Sequence, residues 1–72
     1  MTYRFTTIIH KEGKWFVARC VEIGVVSQGK TVEEAQKNLM EATELYLEDA
    51  PNLKKVLPET PPLVTSFELN HV

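Results

Sequence analysis

Cys20 is the one thiol of the chain, and a nucleophilic cysteine needs a neighbouring base and a depressed pKa. It ends the run Trp15-Phe16-Val17-Ala18-Arg19-Cys20, whose alternation marks a buried, inert thiol. A single cysteine also excludes an internal disulfide and a cysteine zinc cage. His10 and His71 lack a third ligand at matching spacing, so no metal site is expected. Ser27 has no Gly-x-Ser-x-Gly context. Ser27, Gln28 and Gly29 are read as a strand end and tight turn that place Thr31 as a helix cap, not as a phosphate loop. Two-metal nuclease chemistry needs clustered carboxylates, and Tyr3 to His10 carries none. No enzymatic activity and no cofactor are expected.

What remains is recognition chemistry. Ile8, Trp15, Val17 and Arg19 fall on one parity of two neighbouring strand candidates, away from the face a helix would cover. Tryptophan is enriched at binding hot spots, which makes Trp15 a candidate interface anchor. Glu41, Glu44 and Glu48 lie on one helical face, as solvated acids do. Such a face also suits a basic partner, whose approach it would steer.

These residues need elements to position them. Tyr3–His10 is rich in aromatic and β-branched residues and reads as a strand, and Trp15–Cys20 as its return across a Lys11–Lys14 hairpin loop. Glu22-Ile23-Gly24 turns the chain into a short strand over 25–28. Thr31-Val32-Glu33-Glu34 is a capping box. Behind it Val32, Ala35, Leu39, Ala42, Thr43 and Tyr46 recur at helical spacing, predicting a helix over about 32–49 that ends before Pro51. Residues 51–62 carry four prolines and read as a connection with one turn at Leu53–Leu57. Leu63, Thr65, Phe67 and Leu69 alternate with Val64, Ser66 and Glu68, predicting a fourth strand over 63–70. The expected fold is α+β, a single layer of β-β-β-α-β. A three-stranded antiparallel meander carries one helix on one face, and the fourth strand lies beside and parallel to the first.

Composition sets the outer limits. Seventy-two residues make one small domain, without room for a separate cofactor domain. The net charge of −2 is split: residues 31–49 hold six acids against one base, and the remainder seven bases against four acids. An acidic balance argues against a dedicated nucleic-acid surface. No apolar run is long enough to span a membrane, and no signal-peptide core follows Met1, so a cytoplasmic location is expected. One helix cannot cover both sheet faces. A homo-oligomer, dimer or tetramer, is therefore expected, assembled through the open face or a strand edge.

The string Cys20-Val21-Glu22-Ile23-Gly24-Val25-Val26-Ser27-Gln28-Gly29-Lys30-Thr31-Val32-Glu33-Glu34-Ala35 resembles the signature of the HicB-like antitoxin family. The helix end Ala42-Thr43-Glu44-Leu45-Tyr46-Leu47-Glu48-Asp49 and the Gly13-Lys14-Trp15-Phe16 hairpin are similar to it as well. The likeness covers roughly Tyr3 to Asp49. It departs where the family's proline before the glycine is replaced in Glu22-Ile23-Gly24, and where Lys30 stands for an acid. The resemblance implies a partial ribonuclease-H-like β-β-β-α-β layer that binds and neutralises a small, basic HicA-like toxin, an mRNA-cleaving protein. The family's C-terminal DNA-binding segment has no counterpart before Val72, so specific DNA binding is not expected. A stand-alone homo-oligomer of the same fold without a toxin partner is the alternative.

Overall fold

The computed structural model describes residues 3–49, 60 and 62–71. Three antiparallel strands, β1 (Thr7–Glu12), β2 (Trp15–Cys20) and β3 (Val26–Gly29), form one sheet in that spatial order, followed by helix α1 (Val32–Glu48).

The first hairpin is tighter than its sequence suggests. Glu12 pairs directly with Trp15, which leaves a two-residue loop of Gly13 and Lys14. Gly13 takes φ 59°, and no residue other than glycine has positive φ among the described residues. A glycine of that conformation in the first central position fits a type II′ turn, whose twist matches that of the strands. The strand therefore runs to Glu12 and begins at Thr7, not Tyr3. Its start is set by Glu22. The Glu22 carboxylate accepts a hydrogen bond from the Thr6 N–H at 2.7 Å, and the Val21 N–H donates to the Thr6 carbonyl at 2.9 Å. The β2–β3 turn closes through Gly24 N–H to the Cys20 carbonyl at 2.8 Å, with Gly24 at φ 73°.

Helix α1 starts as the capping residues predict. The Thr31 hydroxyl accepts from the Glu34 N–H at 3.0 Å, satisfying one of the donors a helix start leaves orphaned. Only this half of the capping box forms among the described residues. At the other end the Asp49 N–H bonds the Tyr46 carbonyl at 3.2 Å. The apolar stripe buries Ala35, Leu39 and Thr43, while Val32 and Tyr46 at its two ends stay exposed.

The core is small. Ala18 and Cys20 of the sheet and Ala35 and Leu39 of the helix are buried, with Phe5, Ile9 and Phe16 packed around them. The sheet register places Thr7 opposite Cys20, Ile9 opposite Ala18, and Ser27 opposite Ala18 on the helix side. Leu39 is the largest aliphatic group buried there, and its truncation to Ala would cost about 2–5 kcal/mol. The joint between sheet and helix is close: a Cβ at Gly29 would lie 2.5 Å from the Ala35 nitrogen and 2.8 Å from the Glu34 carbonyl carbon. Only glycine fits where β3 meets the first turn of α1.

The fourth strand expected over 63–70 is not paired with this sheet. Residues 62–71 lie outside regular structure, and every one of them is exposed. Alternation gives a segment a strand's two faces but supplies no edge to pair with. The turn expected at Leu53–Leu57 lies outside the described residues.

Candidate functional site

The register resolves which side chains share the open sheet face. Ile8 stands opposite Arg19, His10 opposite Val17 and Glu12 opposite Trp15, while β3 adds Val26 beside Arg19 and Gln28 beside Val17. Ile8, Trp15, Val17 and Arg19 thus lie together, as their parity predicts. Ile8 is 39%, Trp15 41% and Val26 55% exposed, a notable wet area for large apolar groups. Val26 was not among the expected members, although the same parity, carried on into β3, points to it. His10 at the rim pairs with Glu12, Nε2 to Oε1 at 3.2 Å, and both side chains are exposed. Among the described residues no group of three or more His, Cys, Asp and Glu is arranged to hold an ion.

Glu41, Glu44 and Glu48 are exposed along α1. The helix packs on the sheet face that carries Ala18 and Cys20. The sheet therefore separates these acids from the Trp15 face, and the two candidate sets do not form one site. A cleft of about 350 Å³ does adjoin the acids. It lies between Phe5 and Thr7 at the start of the sheet and Leu39, Met40, Thr43 and Leu47 of the helix, with Glu44 on its rim. The cleft exists because α1 lies chiefly over β3 and β2 and only skirts β1.

Cys20 is buried and its Sγ donates a long hydrogen bond, 3.8 Å, to Glu22 Oε1. That partner is a carboxylate, an anion, whereas an activated cysteine sits beside a cationic group, a helix N-terminus or a metal. Burial pushes the Glu22 carboxyl up, but hydrogen bonds from Thr6, from its own backbone and from Cys20 outweigh it, and the net direction is down. Glu22 Oε2 is buried without a hydrogen-bond partner. Sequence reasoning treated Glu22 as part of a turn, and nothing in local spacing signals a contact sixteen residues back to Thr6.

Residues 24–31, Gly-Val-Val-Ser-Gln-Gly-Lys-Thr, do match the Gly-x4-Gly-Lys-Thr spacing of a phosphate-binding loop. The backbone does not form one. Val26–Gly29 is a strand paired with β2, Gly29 is pressed against the helix, and the Thr31 hydroxyl caps α1. A phosphate cradle needs those N–H groups turned inward around an anion.

Comparisons with protein-family models, with curated proteins and with solved structures returned no match to this chain. No described helix is long and apolar enough to cross a membrane.

Proposed function

We propose that the chain is a HicB-like antitoxin-type protein of the cytoplasm that neutralises a small HicA-like mRNA-cleaving toxin by protein–protein contact. The observation that carries this reading is the joint at 27–35. The residues that resemble the family signature are those that close β3, leave no room for a Cβ at Gly29 and cap α1 through Thr31. The helix side, with Glu41, Glu44 and Glu48, meets the basic toxin, and the apolar sheet face around Trp15 lies between copies of the chain. This division follows charge: Arg19 on the sheet face would repel a basic partner, and the helix acids attract one.

The test is co-expression with a small basic HicA-like toxin encoded beside the gene. Restored growth and a co-purifying complex are the expected result. A toxin that kills at full strength and elutes alone would overturn the proposal.

A second reading, a stand-alone homo-oligomeric binding protein of the same fold, is favoured by the exposed apolar residues at 63–69. Leu63, Phe67 and Leu69 are 90%, 82% and 81% exposed. A second copy of the chain would cover them.

A further inference from the structure

We infer that residues 62–71 of one copy form the fourth strand of a second copy's sheet, laid along its β1 edge with Leu63, Phe67 and Leu69 turned into the cleft between β1 and α1, and reciprocally. The inference rests on the self-association proposed above and not on the presence of a toxin.

Four observations converge on it. The sheet order leaves β1 and β3 as its edges. The β3 edge is only four residues long, and the Asn38 side-chain amide already donates to the Gln28 carbonyl at 2.9 Å. The six-residue β1 edge is the one open to a further strand. The second observation is the cleft beside that edge, bounded by Phe5, Leu39, Met40 and Leu47. A strand added next to β1 would point alternate side chains into it.

The third is the segment itself. Leu63, Thr65, Phe67 and Leu69 share one side of an extended chain, with Val64, Ser66, Glu68 and Asn70 on the other. The more apolar side matches the cleft in chemistry, and the side with the three polar residues would face solvent. The fourth is that the segment lies off its own chain's edge. Residues 62–71 are exposed throughout, and the radius of gyration of 14.4 Å exceeds the roughly 11 Å of a compact domain of this length. Pro51, Pro58 and Pro61 precede the segment in sequence, and Pro62 is its first residue. Proline-rich connections resist folding back, which favours donation to a neighbour over closure on the same chain. Reciprocal exchange closes the pair with twofold symmetry.

Isotope-filtered nuclear Overhauser measurements on a mixed dimer, one copy labelled and one not, test this on the intact chain. Contacts between the Phe67 ring and the Met40 or Leu47 methyl groups are expected between copies. Phe67→Asp should raise the dimer dissociation constant by about a hundredfold or more, with the helical circular dichroism signal retained because the folded chain does not bury Phe67. Glu68→Gln should leave the constant where it is. A wild-type chain that stays monomeric at micromolar concentration overturns both the exchange and self-association. A dimer whose Phe67 contacts are confined within one copy, or one indifferent to Phe67→Asp, overturns the exchange while self-association through the Trp15 face stands.

Discussion

At the scale of single residues, Glu22 and Gly29 hold more of the fold than their types advertise. Glu22 ties the start of β1 to the β2–β3 turn, and its carboxyl is held below the usual carboxylate value. Its ionised form therefore stabilises the folded state. That stabilisation is present above the unfolded pKa, roughly 4.3, and is lost as the pH falls through the lower folded value. Thermal midpoints measured on the acid side should drop for the wild type, and Glu22→Gln should flatten that dependence. A slope identical in both proteins would show that the Thr6–Glu22 bond carries no linkage. Gly29→Ala forces the strand end away from the first turn of α1, and overpacking of this kind costs about 1–3 kcal/mol. Denaturant titration measures it. Trp15→Ala, by contrast, should leave stability nearly unchanged and lower the mass of the assembly seen in sedimentation, whereas Glu44→Lys should not.

At the scale of elements, β2 and α1 were readable because each is specified locally. Trp15–Cys20 alternates and ends at turns on both sides, and Thr31 opens a helical stripe. Replacing Thr31 by Ala removes the acceptor for the Glu34 N–H and should cost about 0.5–2 kcal/mol, again by denaturant titration. The start of β1 was not readable, because Tyr3–Thr6 has strand-forming residues but Glu22 takes the Thr6 N–H. Pairing depends on what lies alongside, which period-two patterning does not encode. The same reason covers residues 63–70, whose alternation is plain in sequence while the edge they would join is not. Of the candidate site, parity was sufficient to assemble Ile8, Trp15, Val17 and Arg19. The cleft beside β1 was beyond it, since that cavity arises from where the helix lies across the sheet.

At the scale of the whole molecule, the sheet stands between an apolar face bearing Arg19 and a helix bearing Glu41, Glu44 and Glu48. On the proposed antitoxin role, triple replacement of the three glutamates by Gln should slow association with the toxin and flatten its salt dependence, since exposed charges act over about 8 Å at physiological ionic strength. Stopped-flow mixing at low salt reads this directly. An unchanged rate constant would mark the acids as solvated surface and move the toxin contact to the sheet side. Retention on the DNA upstream of the gene should be absent at physiological salt, as the largest block of charge is negative.

The buried thiol gives the molecule a chemical clock. Cys20 is 1% exposed and sits under the turn that Glu22 fastens to Thr6. Cys20 also lines the cleft beside β1, and at this exposure an alkylating reagent reaches its sulfur during opening motions, among them release of that fastening. The labelling rate of this one atom, followed against denaturant, separates partial opening of the β1–turn latch from global unfolding. Loosening the latch by Glu22→Ala should hasten labelling under conditions where the circular dichroism of the helix has not yet changed.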